Sequence, residues 1–116
     1  MIQTINELIK KNGTPFYMFD EEGFVNNYRK LERTFKAVYP NYQISYSYKT
    51  NYTPFVCKLV KSLGGYAEVV SDMEYTLAKK LGYANSLIVY NGPSKGEDMY
   101  EHLENHGILN LDSLDE

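Results

Sequence analysis

Apolar positions along the chain change their spacing near residue 44, and the change divides the sequence into two kinds of segment. Before it, Ile5, Leu8 and Ile9 lie on one side of a short helix over Thr4 to Lys11, with Thr4 and Glu7 spaced as a capping box and Gly13 as the stop. Thr14-Pro15 leads into Phe16-Tyr17-Met18-Phe19, an apolar run short enough for a strand. Asp20, Glu21 and Glu22 then suit the positive end of a second helix, which carries Phe24, Tyr28, Leu31 and Phe35 at helical spacing and stops at Pro40.

From Ile44 the pattern repeats. Strand-like runs begin near Ile44, Tyr66, Leu87 and Ile108, at separations of 22, 21 and 21 residues. Each of the first three is followed by a helix with a recognisable start: Thr53 with Pro54, Ser71 with Glu74, and Ser94 with Glu97. Gly64, Gly82 and Gly107 close those helices. Strand, short helix and strand at a fixed period mean parallel strands joined by right-handed crossovers. The even unit length, with no Gly-x-Gly-x-x-Gly turn after the first strand, favours a (βα)8 TIM-type barrel over an open doubly wound sheet. A whole barrel takes about 250 residues, so the fold class expected is α/β, a partial barrel made of its first four parallel strands.

Composition narrows the class. With 116 residues, 43% hydrophobic and 23% charged, the chain has enough apolar content for a core, and its net charge of −3 argues against nucleic acid or an acidic membrane as partner. The 12 tyrosines lack the basic groove that base-stacking proteins place beside their aromatic rings. Cys57, the single cysteine, excludes an intrachain disulfide and sits among Phe55, Val56, Leu59 and Val60 as a core residue. No leader-like or membrane-spanning run is present in this sequence, and a cytoplasmic location is expected.

Candidate chemistry follows from the rule that functional groups gather at the carboxyl ends of parallel strands. In Ile44-Ser45-Tyr46-Ser47-Tyr48-Lys49-Thr50-Asn51, alternation puts Ile44, Tyr46 and Tyr48 on one side and Ser45, Ser47 and Lys49 on the other. Lys49 beside small residues has room for a bulky planar molecule, although the same pattern fits an ammonium that simply reaches water. Glu68 alternates with Tyr66 and Val70, and a carboxylate in an apolar strand calls for a cation, so a Lys49–Glu68 contact is expected. A solvated glutamate on an edge strand is the alternative. Asn51, Ser71 and Asp112 also fall at strand ends, as does the Asn91-Gly92-Pro93-Ser94-Lys95-Gly96 turn, which suits an anion or, preferably, an ordinary capped turn. His102 and His106, four apart, read as two exposed surface histidines, and no metal is expected.

Taken in order, Thr14 to Asp20, Tyr46-Ser47-Tyr48-Lys49-Thr50-Asn51, Ala67-Glu68-Val69-Val70-Ser71 with Glu74, Asn91-Gly92-Pro93 and Leu109-Asn110-Leu111-Asp112-Ser113 resemble successive blocks of the diaminopimelate and ornithine decarboxylase family. These are pyridoxal-phosphate decarboxylases on an alanine-racemase-like barrel. The resemblance implies that Lys49 carries pyridoxal 5'-phosphate as a Schiff base and that Glu68 replaces the family's acidic residue near that lysine. Glu68, Asn51 and Asn91 join Lys49 as expected cofactor-binding residues. It assigns residues 1–20, with the Phe16–Phe19 strand, to a separate β-domain, and 21–116 to the first half of the barrel. The motif departs at Ser47, Tyr48 and Thr50, where Ala, Val and Ala or Cys are commoner. The family's phosphate cradle, the carboxylate facing the pyridine nitrogen, the ring-stacking histidine and the substrate-handling cysteine and aspartate come later in the chain and have no counterpart here. The expectation is therefore an N-terminal portion of an amino-acid decarboxylase, itself inactive, acting on a small amino acid within a homo-oligomer, a dimer. The readings set against it are a self-associating half-barrel module without catalysis, and a fragment of a racemase-like cofactor binder.

Overall fold

The computed structural model of the chain describes residues 2–115. In order, it contains α1 (Ile2–Asn12), α2 (Glu21–Lys36), β1 (Ser45–Ser47), α3 (Pro54–Ser62), β2 (Tyr66–Val69), α4 (Asp72–Lys80), β3 (Ile88–Tyr90), α5 (Asp98–Glu104) and β4 (Ile108–Leu109). The chain divides into two compact units, 1–31 and 32–116.

In the first unit α1 begins at Ile2, so Thr4 lies inside the helix and is not its cap. Gly13, at φ 75°, ends it in the left-handed conformation, its N–H donating to the Ile9 carbonyl at 2.9 Å. Residues 16–19 form no strand, because a strand needs a partner and none pairs with them among the described residues; Tyr17 is fully exposed. Asp20 caps α2 as expected, its Oδ1 accepting from the Gly23 N–H at 2.9 Å. Phe19, just before the cap, meets Phe24 with ring centroids 5.5 Å apart, the geometry of a hydrophobic staple. α2 stops at Lys36, short of Pro40. The residue before a proline is steered out of the helical region, and the N–H groups of Val38 and Tyr39 turn back onto the Phe35 carbonyl instead.

The second unit is built on one parallel sheet in the order β1-β2-β3-β4, each strand paired with its sequence neighbour. Register sets two faces. Tyr46, Ala67 and Ile88 align across one face, and Val69 with Tyr90 continues it. This face packs with Cys57, Tyr75, Ala78 and Tyr83 into the core, with Tyr48 added from the turn after β1. The other face carries Ser45 and Ser47, Tyr66 and Glu68, and Val89 and Ile108, all half-buried or exposed. Burying one face under helices and keeping polar groups on the other is what one sector of a parallel barrel requires.

The helix starts differ from one another. Ser71 caps α4, its Oγ accepting from the Glu74 N–H at 3.3 Å, while Glu74 reaches back to the Val70 N–H at 2.8 Å. Thr53 precedes α3 without a side-chain cap bond, and Asn51 Oδ1 accepts from the Thr53 N–H at 3.0 Å, just before the helix. α5 does not begin after Ser94 but at Asp98, because residues 92–96 are held in a compact turn. The left-handed residue after α5 is His106, at φ 62°, and not Gly107. Gly107 serves another purpose: a Cβ there would lie 2.1 Å from the His102 ring.

His102 corrects a second expectation. It is fully buried, with Nε2 2.9 Å from the Ile108 carbonyl and its ring edge-on to Tyr75 and Tyr90. It ties α5 to the start of β4 within the core. His106 is exposed, and among the described residues no group of three or more potential ligands could hold a metal ion. No helix among them is long and apolar enough to cross a membrane.

Candidate active site

Of the residues expected at the carboxyl ends of the strands, Glu68 and Asn91 come into contact, whereas Lys49 is placed by a different geometry at the end of β1. Ladder pairing continues one residue past β1, with the Tyr48 N–H on the Glu68 carbonyl at 2.9 Å. The chain then turns: the Ser47 carbonyl accepts from both the backbone N–H of Thr50, at 3.3 Å, and its hydroxyl, at 2.8 Å. Lys49 is the third residue of that turn, so strand alternation no longer sets its direction. Its side chain is exposed, and its ammonium makes no hydrogen bond or ion pair among the described residues.

The expected Lys49–Glu68 contact does not form. Glu68 finds a neutral partner, its Oε1 accepting from Asn91 Nδ2 at 3.1 Å. The turn takes Lys49 out of register with β2, and the half-buried carboxylate is answered by an amide instead of a cation. Asn91 is fixed from both ends, because its Oδ1 accepts from the Gly92 N–H at 2.9 Å. Gly92 itself is at φ 91°, and a Cβ there would come 3.1 Å from the Val70 Cβ, so only glycine suits this turn.

Directly across from Glu68 in the β1–β2 register stands Ser47, whose Oγ is buried without a hydrogen-bond partner. An orphaned buried hydroxyl beside a singly bonded carboxylate leaves donor and acceptor capacity for a ligand. Asn51, also expected at the site, has its oxygen committed to the start of α3, which leaves its Nδ2 to donate. Ser71 is spent on the α4 cap.

Two residues gain importance only in three dimensions. Lys95 has a side chain just 2% exposed, and its Nζ donates to the Gly92 carbonyl at 2.5 Å and to Asp112 Oδ2 at 3.2 Å. Asp72 accepts from the Tyr90 hydroxyl at 2.6 Å. Sequence placed Lys95 in a turn and Asp112 at a strand end, but periodicity carries no signal for a buried lysine.

Behind the site the core is built mainly of tyrosine and small apolar side chains, with Glu74 also buried. Burial pushes the Tyr48 hydroxyl far above its ordinary value, with Cys57 and Tyr83 adding to the effect. The Cys57 thiol is likewise raised, chiefly by burial, which keeps it protonated and inert as expected of a core cysteine. Tyr90 is raised by burial and then by its bond to Asp72.

The sequence profile described as the pyridoxal-dependent decarboxylase pyridoxal binding domain matches residues 25–116. A diaminopimelate decarboxylase of Methanothermobacter thermautotrophicus is 32% identical over 92% of this chain and 25% of its own length. That of Aquifex aeolicus is 34% identical over 81% of this chain and 21% of its own. The crystal structure of the Methanocaldococcus jannaschii diaminopimelate decarboxylase with L-lysine superposes with a TM-score of 0.79 and 31% identity, over 94% of this chain and 26% of that one. The chain thus spans about a quarter of the length of these relatives, and its four parallel strands match the N-terminal portion of their TIM-barrel-like fold.

Proposed function

Because the chain belongs to the pyridoxal-dependent decarboxylases, within their pyridoxal binding domain, we propose that it supplies the lysine and the first polar contacts for pyridoxal 5'-phosphate in a protein that decarboxylates an amino acid. The observation that carries this reading is Lys49: an uncommitted primary amine at the carboxyl end of the first strand, two residues after an orphaned hydroxyl that stands across from a carboxylate oriented by an amide. That donor set fits a polar pyridine aldehyde. Bound cofactor supplies a ring that takes up the electron pair left when the substrate carboxylate departs as CO2.

The chain's own residues divide the work. Lys49 offers the nitrogen for the aldehyde. Ser47 Oγ, Glu68 and Asn51 Nδ2 would hold the cofactor through its polar groups, and Asn91 would keep Glu68 oriented. With the relatives named diaminopimelate decarboxylase, a dicarboxylic diamino acid is the proposed substrate class. Residues 1–20 contribute to a separate β-domain and 21–116 form the barrel portion, in a cytoplasmic protein. A homodimer belongs to the same proposal, and the outer edges of β1 and β4, which pair with no strand among the described residues, are where the remaining strands of a barrel would join.

Incubation with pyridoxal 5'-phosphate, borohydride reduction and peptide mapping provides the test. The label is expected on Lys49 and absent from Lys49→Ala. An even spread over the surface lysines would overturn the assignment.

A further inference from the structure

A continuous line of polar contacts runs along the strand ends from β4 to β2. Asp112 Oδ2 accepts from Lys95 Nζ at 3.2 Å, Lys95 Nζ also donates to the Gly92 carbonyl at 2.5 Å, the Gly92 N–H donates to Asn91 Oδ1 at 2.9 Å, and Asn91 Nδ2 donates to Glu68 Oε1 at 3.1 Å. Its centre is a lysine whose side chain is 2% exposed, joined to an aspartate 17 residues away in sequence. A buried ammonium is costly and is retained only where its charge is answered and its geometry fixed. Here it fixes the Gly92 carbonyl, one Cα away from the Gly92 N–H that holds Asn91 Oδ1, so that the Asn91 NH2 group, not its oxygen, faces Glu68.

We propose that Lys95 is a positioning residue: it sets the orientation of the Glu68 carboxylate through Gly92 and Asn91, with Asp112 as its anchor. Glu68 needs this device because the Ser47–Thr50 turn denies it Lys49 as a partner. The amide keeps the carboxylate in one rotamer without neutralising it or engaging the lysine amine. The consequence for cofactor attachment rests on the proposed function; the contact line itself does not.

The test uses Lys95→Met, which keeps most of the alkyl stem, with Lys95→Arg as the conservative variant. In nuclear magnetic resonance spectra of the protein without cofactor, the Asn91 side-chain amide is expected to show hydrogen-bonded shifts. In Lys95→Met these shifts collapse toward those of a free amide and proton exchange rises about tenfold, as for loss of one net hydrogen bond. Lys95→Arg restores them. If Lys95→Met does not fold, Asp112→Asn, at a residue whose side chain is 37% exposed, must give the same change in smaller measure. An unchanged Asn91 amide in either folded variant overturns the proposal. Pyridoxal-phosphate labelling of Lys49 is the second readout, and it should fall in Lys95→Met and recover in Lys95→Arg. A lost amide signature with undiminished labelling would overturn the link to the lysine. If Lys49 of the unmodified protein takes no label, the proposed function fails, while the amide signature still decides the contact line.

Discussion

Gly107 shows how one residue's missing atom holds a larger arrangement in place. His102 is fully buried and wedged edge-on against Tyr75 and Tyr90, with Nε2 on the Ile108 carbonyl, so its ring cannot move aside. Gly107→Ala puts a Cβ 2.1 Å from that ring. The expected cost is about 2 kcal/mol from overpacking, read as a lower urea midpoint with an unchanged slope. Wild-type stability in this variant would mean that β4 is not clamped by the histidine. Gly92, by contrast, is required for its backbone at φ 91°, so the two glycines answer to different physics. At this scale the sequence was a partial guide. Strand alternation put Lys49 and Glu68 at neighbouring strand ends but paired them wrongly, and it carried no sign of the burial of Lys95 and His102. Both are polar residues in short segments whose surroundings come from other elements.

Among the elements, the helix starts separate propensity from actual bonding. Ser71 and Thr53 look equally good as caps in sequence, yet only Ser71 accepts a backbone N–H with its side chain. Ser71→Ala is expected to cost about 1 kcal/mol and Thr53→Ala close to nothing, as measured by chemical unfolding. Equal losses would show that the α3 start relies on Thr53 after all. At the α3 start Pro54, at the first helical position, has no N–H to satisfy, and Asn51 bonds the Thr53 N–H just outside the helix. The strand run expected at Phe16–Phe19 did not become a strand, for the plain reason that pairing is a property of two segments. Pattern alone can mark an apolar run, but it cannot supply the neighbour.

For the whole molecule, the buried tyrosines set its response to alkali. Tyr48 and Tyr90 have no exposed surface, and burial raises both hydroxyls above the ordinary value of 10.0. An unfolded tyrosine ionises near pH 10, while in the folded protein these two keep their protons, so the folded state binds more protons above that pH. Their contribution to stability is therefore full below about pH 10 and is lost as pH rises toward the folded values, at up to about 1.4 kcal/mol per pH unit for each. The part of the tyrosinate absorbance that comes from the buried rings should appear together with the loss of circular dichroism signal, in one cooperative step above about pH 10. Full ionisation of every tyrosine in a still-folded protein would contradict the burial described here.

What the sequence determined by itself is the repeating unit: strand and helix alternating at a 21- to 22-residue spacing. Parallel order and the carboxyl-end location of Lys49, Glu68, Asn91 and Asp112 follow from that repeat, because period and handedness are local properties of the chain. Tertiary structure alone decided which of these residues touch. Hydrogen-bond partners depend on where a turn interrupts the register: the turn at Ser47 to Thr50 frees Lys49 and leaves Glu68 to Asn91, while the turn after β3 lets Lys95 join the ends of β3 and β4.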